Sequence, residues 1–569
     1  MKKTLIARIY LLSAAFMALA LLFVYYLYTI QIRDHAQWVE RGEANYIQVE
    51  KGVFKRGTIY VTPRIGDPLP AATTESGYIL AIDYRELRDH VAAYHALQAI
   101  VPTLDREQFF EYAQGKLGWR ELERRLSEDA AQQILALKLT GVHVVKTQWR
   151  VYPYGSVMAR TIGFVGASDQ DTILRGRYGV EKAYNENLLR PDTRQNTNLF
   201  AELFADVQAS STNVAESADL YTTIEPTVAH LLQNSLRAVH DKYQSEITGG
   251  IIMNPKTGEI YAMDALPTYD SNDRRGVPLE TLMDPNVLGT YEFGSIIKPL
   301  TVAAGIDAGV IGRYTTYNDT GCTTLSTFTI CNYDGRARGV TEIQQVLSQS
   351  LNMGVVHIQQ LLGKDRFRTY FEKLQLGSET GIDAGGEVSG NIRNLQQKND
   401  INYATAAYGQ GIATTPIGTI RALATLANGG VLPAPRIGSK LRYLDGEEEA
   451  ITFPPGDRVF AQETADTLSS MLTTVVDDAL RGGKLKIPGY RVAAKTGTAF
   501  LTDGKGGYDK ERYFHSLFGY FPAHDPKFII LLYTRDPKGV QYASETLAET
   551  YMSLVRELIS YYEIPPDRQ

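Results

Sequence analysis

Cysteine is nearly absent, with two in 569 residues. Neither thiol has a histidine close by in the sequence, so the pair makes a poor metal site, and no metal or cofactor is expected. An excess of positive charge is missing as well. Lys+Arg number 58 against 64 Asp+Glu, a formal charge of −6, which gives no electrostatic reason to expect a nucleic-acid partner. Residues 34–215 also lack a convincing catalytic constellation. Arginine and glutamate are plentiful there, and solvated faces account for them.

What is present is ordinary globular composition, 44% hydrophobic and 21% charged, with length for two to four domains and a real core. From Ile9 to Ile30 the chain runs 22 residues without a charge. As a helix that is about 33 Å, enough to span a hydrocarbon core. Lys2, Lys3 and Arg8 precede the run, and the charges after it (Arg33, Asp34, Glu40, Arg41, Glu43) nearly cancel. A single-pass anchor with a cytoplasmic amino terminus is therefore expected, with Tyr25, Tyr26 and Tyr28 near the outer interface. A cleaved signal peptide is the competing reading, but its apolar region is normally shorter, and the small-residue stretch Ala18-Leu19-Ala20 lies inside the run.

Everything after about residue 33 is then expected outside the cytoplasm. Cys322 and Cys331 bracket Thr-Thr-Leu-Ser-Thr-Phe-Thr-Ile. In an oxidising compartment they read as a small hairpin disulfide, the alternative being two unlinked thiols.

Residues 34–215 read as an irregular α+β region. Gln48–Phe54 and Gly77–Asp83 have strand patterns, and Leu87–Val101, Arg106–Leu117 and Ser127–Leu139 have helical spacing. Small polar residues over 194–218 suggest a connection and a boundary near 216. Beyond it come a helix pattern over Thr227–His240 and two strands in Gly249–Met263 joined by a Pro-Lys-Thr-Gly turn. Strand-like runs at Tyr490–Phe500, Ser516–Phe521 and Lys527–Thr534 precede a closing helix at Tyr551–Tyr561. Strands at both ends of a helix-rich middle imply one sheet whose ends meet, with helices against its faces.

The organising stretch is Tyr291-Glu-Phe-Gly-Ser-Ile-Ile-Lys298-Pro-Leu-Thr-Val-Ala-Ala-Gly305, a glycine-led turn running into an apolar helix. Ser295 and Lys298 lie nearly one helical turn apart, on one face, so the hydroxyl and amine can touch. A serine nucleophile needs a base, and lysine serves only when neutral, as burial and a second cation make it. Ser-x-x-Lys alone is weak. Its company carries the signal: Ser350-Leu-Asn352 follows 55 residues on, and Lys495-Thr496-Gly497-Thr498 another 145. A second Lys-Thr-Gly, Lys256-Thr257-Gly258, precedes Ser295 and sits in a tight hairpin, so turn geometry explains it. Gln410, between two glycines, also reads as loop geometry.

Ser-x-x-Lys, a Ser-x-Asn type triad and Lys-Thr-Gly in this order are the signature shared by β-lactamases and penicillin-binding proteins. With these motifs the chain resembles a class B penicillin-binding protein, the single-pass D,D-transpeptidases that cross-link peptidoglycan. Arg56-Gly-Thr-Ile59, Tyr152-Pro153, Ile162-Gly-Phe-Val-Gly166 and Gly179-Val-Glu181-Lys-Ala-Tyr184 are similar to that family's non-catalytic pedestal. Tyr408-Gly-Gln-Gly411, Asn428-Gly-Gly430 and Phe518-Gly519 are similar to landmarks of its transpeptidase domain. The chain departs from the pattern at Phe293, where proline is usual, at Ala494 for glycine and at Gly418 for glutamine. Tyr60-Val-Thr-Pro replaces the usual Asp-Arg-Asn-Gly.

The resemblance implies an α/β (α+β) transpeptidase fold, an antiparallel sheet flanked by helices. It implies residues 1–33 as tail and transmembrane anchor, 34–215 as a pedestal like the penicillin-binding protein dimerisation domain, and 216–569 as the transpeptidase domain. Ser295 would attack a stem-peptide carbonyl, Lys298 take its proton and Ser350 protonate the leaving amine. Asn352 would hold the substrate backbone. Lys495, Thr496 and Thr498 would grip the terminal carboxylate beside Gly497, and the amides of Ser295 and Thr498 would form the oxyanion hole. Implied partners are stem peptides on lipid-linked or nascent glycan strands, β-lactams as inhibitors, divisome proteins and a membrane glycan polymerase, since no glycosyltransferase-like region precedes the transpeptidase segment. Ser-x-Asn and overall size favour the division branch over the elongation branch. A D,D-carboxypeptidase or β-lactamase, releasing the acyl group to water, is the alternative enzyme, and a scaffold binding other wall-synthesis proteins the non-enzymatic one.

Overall fold

The computed structural model describes residues 55–114, 118–168, 171–190, 217–325, 327–454 and 456–568, with scattered positions between 16 and 33. The strand expected over 48–54, the connection over 194–216 and much of the 9–30 run lie outside the described residues. Among the described residues, no helix is long and apolar enough to cross a membrane.

The chain forms two compact units, which are not contiguous in sequence. The smaller includes Glu75–Trp149; the larger comprises Phe54–Thr74 and Arg150–Gln569. In the smaller unit, Tyr78–Asp83 pairs antiparallel with the strand Trp119–Leu126. The apolar side chains of Tyr78, Leu80, Ile82, Tyr94, Leu97 and Phe109 close one core. The expected helix from Leu87 begins three residues later, at His90–Gln98, because the Asp89 carboxylate accepts the amides of Val91 and Ala92 and caps it there. Ser127 caps Glu128–Ala136 in the same way.

In the larger unit the elements that build the main sheet and its cover follow one another as α1 (Pro226–Tyr243), β1 (Ile247–Met253), β2 (Ile260–Leu266), α2 (Lys298–Asp307), α3 (Asn352–Leu362), α4 (Gln462–Thr474), β3 (Ala493–Thr502), β4 (Tyr508–Phe521), β5 (Phe528–Arg535) and α5 (Ala548–Tyr562). The strand order is β2-β1-β5-β4-β3, antiparallel throughout. The first strands of the domain thus meet the last ones through β1 and β5, from Ile247 opposite Arg535 to Met253 opposite Ile529. β5 reads Phe-Ile-Ile-Leu-Leu-Tyr-Thr without alternation because helices cover both of its faces, and all seven residues are buried.

On one face α1 and α5 pack together: Leu232 of α1 lies over Gly250 of β1, and the Tyr551 hydroxyl of α5 over Gly519 of β4. On the other face Ser469 of α4 hydrogen-bonds the Tyr520 hydroxyl at 2.8 Å. Pro226 starts α1, and the Glu225 carboxylate accepts the Val228 amide at 2.6 Å, a cap that sets where the helix leaves the preceding strand. Lys256-Thr257-Gly258 occupies the β1–β2 turn, where the Asn254 carbonyl accepts the Gly258 amide.

Two of the pedestal-like segments meet at one buried ionic cluster, which Arg150 completes. Glu181 accepts Arg56 Nε at 2.6 Å and Arg150 Nε at 2.7 Å, and all three side chains are at most 1% exposed. Arg56 also donates to the Glu181 carbonyl at 2.7 Å, and Arg150 to the Gly57 carbonyl at 2.8 Å. Burial pushes the Glu181 carboxyl up, but the two guanidiniums outweigh it and hold it below the usual carboxylate range.

Candidate active site

The turn that carries Ser295 is pressed between a loop and an edge strand, and two glycines make the approach possible. Gly294 has φ +64°, and a Cβ there would lie 2.9 Å from the Thr498 carbonyl oxygen. Gly497 faces the turn from β3, and a Cβ would sit 2.5 Å from the Phe293 carbonyl and 3.0 Å from the Ile296 amide. Gly497 therefore serves close approach. It is not a bulge: β3 keeps register with β4 through Gly497 opposite Ser516, and slips only between Phe500 and Leu501. The Ser516 hydroxyl ties the two pieces by donating to the Phe293 carbonyl at 2.8 Å.

Phe293, where proline is usual, is buried edge-on against Phe514, and Tyr291 stacks on the same ring. Gly294–Ile297 is a 3₁₀ turn that runs directly into α2. Ile296 and Ile297 bury into the core, Ser295 stays half-buried on the cleft wall, and Lys298 is fully buried.

A buried amine must find acceptors, and Lys298 finds them on Ser350. It donates to the Ser350 carbonyl at 2.5 Å and to the Ser350 hydroxyl at 3.2 Å; among the described residues it makes no hydrogen bond to Ser295. Lys495 donates to the same hydroxyl at 3.1 Å and to the Thr496 carbonyl at 2.9 Å. The Ser350 oxygen thus sits between two amines. Its residue has φ +56°, a left-handed conformation unusual for a side chain with Cβ, between the helix Ile343–Ser348 and α3.

Two amines this close and this dry cannot both hold their protons at the ordinary lysine value. Burial, and then the charge of Lys495, bring Lys298 well below it. Burial alone brings Lys495 down to about 7. Lys298 is thereby suited to accept a proton, while Lys495 has two accessible protonation states near neutrality.

Ser295, Ser350, Asn352, Lys495, Thr496 and Thr498 all line one cleft of about 660 Å³. Thr496 and Thr498, two apart on a strand, share one side of β3, and Lys495 leaves from the other to reach Ser350. The Thr498 hydroxyl accepts the Ala543 amide at 3.1 Å, which keeps its proton free to be donated. β3 is the outer strand of its sheet, so the backbone on the cleft side is open to an extended peptide.

Asn352 is set from across the cleft. Its amide donates to the Cys331 carbonyl at 2.8 Å, and the Met353 backbone donates to Asn332 at 3.1 Å. Cys331 lies opposite Cys322 in a two-stranded hairpin, and the two are joined by a disulfide. The hairpin that the sequence suggested is therefore a wall of the cleft.

Sequence reasoning missed part of that wall. Tyr408, Gln410, Tyr513, Tyr542 and Arg481 line it, and Gln410 reaches it because Gly409 and Gly411 on either side take φ of +80° and +72°. Glu292 was passed over too. It accepts the Gly411 amide at 3.1 Å and the Tyr508 hydroxyl at 2.9 Å, fastening loop and hairpin beside the turn that carries Ser295. An acidic residue three before Ser295 was the available signal. Tyr408 opened a stretch already quoted as a family landmark, whereas Tyr513 and Tyr542 come from distant segments and left none.

A cleft in which a half-buried serine, two depressed lysines and an outer strand converge is that of an acyl-transfer enzyme working on peptides. The chain belongs to the class B penicillin-binding proteins: the family model "Penicillin binding protein transpeptidase domain" matches residues 248–557, and "Penicillin-binding Protein dimerisation domain" matches 53–197. It is 27% identical over 508 residues to "Stage V sporulation protein D" of Bacillus subtilis, covering 87% of this chain and 77% of that one. To "Peptidoglycan D,D-transpeptidase FtsI" of Escherichia coli it is 26% identical over 558 residues, covering 95% and 89%. Among solved structures it is similar in fold to penicillin-binding protein 2X of Streptococcus thermophilus, with a TM-score of 0.72, 19% identity, and 90% and 80% of the two chains covered. Penicillin-binding protein 3 of Mycobacterium tuberculosis in complex with aztreonam gives a TM-score of 0.67 at 21% identity, covering 90% and 98%.

Proposed function

We propose that this chain is a serine D,D-transpeptidase that cross-links peptidoglycan stem peptides through an acyl-enzyme, in septal wall synthesis. The Ser350 hydroxyl, held at 3.2 and 3.1 Å by the amines of Lys298 and Lys495 on the cleft that Ser295 lines, carries the reading. Relatives named FtsI and a sporulation protein support the division role.

An extended stem peptide lies along β3 with its terminal carboxylate on Lys495 and the Thr496 and Thr498 hydroxyls. Neutral Lys298 takes the Ser295 proton as Oγ bonds to the penultimate D-alanyl carbonyl carbon, and the amides of Ser295 and Thr498 receive the oxyanion. The peptide C–N bond then breaks, and the leaving D-alanine nitrogen gains a proton through Ser350, which two amines can resupply. A neighbouring stem's amine attacks the ester, its proton passes back along the same path, and Ser295 regains its hydrogen. Asn352, fixed on Cys331, holds the donor backbone.

The division of labour along the chain belongs to the same proposal: residues 1–33 anchor it in the cytoplasmic membrane with the amino terminus inside, 34–215 form a pedestal for divisome partners and a glycan polymerase, and 216–569 carry the chemistry outside.

One experiment addresses nucleophile and anchor together. Cells expressing the full chain are fractionated, exposed to labelled penicillin and digested; the mass increment should fall on the peptide containing Ser295, in the membrane fraction. An increment on another residue removes Ser295 as the nucleophile, label in the soluble fraction removes the anchor, and rapid loss of the increment to water favours the hydrolytic alternative.

The pH profile follows from the two amines. Lys298 must be neutral and Lys495 charged, so acylation by an anionic substrate should be bell-shaped. It is lost on the acid side as Lys298 gains a proton. It is lost again as pH rises through about 7, where free Lys495 gives up its own. A bound carboxylate favours the charged form of Lys495, so the alkaline limb should move upward at saturation. Acylation rates measured from about pH 5 to 10 check this; a steady rise across that range at low substrate would contradict it.

A further inference from the structure

The cleft wall holds a cation that this chemistry does not use. Arg481 lines the cleft with Ser295, Lys495 and Thr498. It is exposed, and among the described residues its guanidinium makes no hydrogen bond or ion pair. The nearest acids in sequence are not its partners: Asp477 pairs with Arg568 and Lys486, and no ion pair joins Arg481 to Asp478. Among the described residues no aspartate or glutamate lines the cleft, and the two cationic side chains that line it are Arg481 and, when protonated, Lys495.

The backbone adds a second observation. Arg481 has φ 52° and ψ 32°, and Gly482 and Gly483 follow with φ of 65° and 75°. Glycine takes this left-handed conformation freely and arginine does not. The turn by itself calls for a third glycine, so a side chain held there against the local preference points to a use for that side chain.

A guanidinium is a planar fork matched to a carboxylate, and it stays charged at any working pH. Lys495, Thr496 and Thr498 already take the donor's terminal carboxylate in the reading above. We infer that Arg481 is a specificity residue that binds a second carboxylate, carried by the donor peptide away from its terminus, and that it favours β-lactams bearing such a group. The inference rests on the transpeptidase reading of this cleft. Arg481 touches no reacting atom in it, so its loss should change which acyl donor is preferred and leave the chemical step intact.

Two penicillins with one nucleus separate these effects. Benzylpenicillin has one carboxylate, and carbenicillin adds a second on its side chain. Acylation efficiency is measured for the full chain and for Arg481→Ala, Arg481→Lys, Arg481→Glu and Arg481→Gly. The glycine variant relaxes the backbone, so it remains informative if alanine disturbs the turn. Carbenicillin acylation should fall about tenfold or more in the alanine and glycine variants, the usual worth of a hydrogen bond to a charged group. It should fall further with glutamate and recover in part with lysine. Benzylpenicillin acylation should stay within about twofold, since its single carboxylate goes to Lys495. Equal losses for both penicillins, or none for either, overturn the inference while the transpeptidase reading stands. Failure of the unaltered chain to be acylated by either penicillin removes that reading, and this inference with it.

Discussion

Exchanging Lys298 for arginine should lower acylation about 10²–10⁴-fold, the range that a positioned general base supplies. Charge conservation makes this the informative substitution. An arginine in this position would keep a cation and several donors toward Ser350, but a guanidinium does not release its proton in a protein, so the Ser295 hydroxyl would have no base. Lys298→Gln should lose as much for the opposite reason, retaining a polar head with no charge and no basicity. The position is fully buried, so the larger guanidinium must also find space. Thermal midpoints recorded beside the rates separate that cost from the chemistry, because the glutamine variant is the smaller perturbation. An arginine variant acylated within about threefold of the natural chain would dismiss Lys298 as the base and leave Ser350 or Lys495 to be tried in that role.

Glu181→Ala should destabilise the larger unit by about 3–5 kcal/mol, which is a large share of the 5–15 kcal/mol that holds a typical domain together. The cost is not the lost attraction of one pair. Arg56 and Arg150, fully buried with the glutamate, would both lose the carboxylate that balances their charges out of reach of water. Glu181→Gln should lie in between, since an amide can accept from one guanidinium but neutralises neither. Urea midpoints of the three proteins test the order. A shift below about 1 kcal/mol for the alanine variant would mean that water enters the cluster and that the segments near residues 56, 150 and 181 are held by something else.

The candidate site residues were legible because they are written locally. Ser295 and Lys298 share a turn, Ser350 and Asn352 flank a helix start, and Lys495 opens a strand motif, and each keeps its residues within four positions. The sheet was legible for a similar reason: β5 is a continuous apolar run, and the β1–β2 hairpin carries its own turn residues. What failed to come through were particular side-chain contacts between residues far apart in the chain. The expected pairing of Lys298 with Ser295 gave way to Ser350, 52 residues away, because a buried amine goes to whichever acceptors the packing brings it. In sequence Gly497 read as part of a carboxylate-binding motif. Its reason emerged only when the Phe293 carbonyl was found against it.

Sequence alone determined which atoms are available for chemistry and in what order they occur, since hydroxyls, amines and amide are fixed by residue type and short spacing. Tertiary structure decided their protonation and their partners. Burial and the Lys495 charge depress Lys298, the disulfide hairpin supplies the carbonyl that aims Asn352, and Arg481 comes to line the cleft through a left-handed turn. Dielectric surroundings and long-range contacts depend on every segment that packs nearby, and no short stretch of residues contains them.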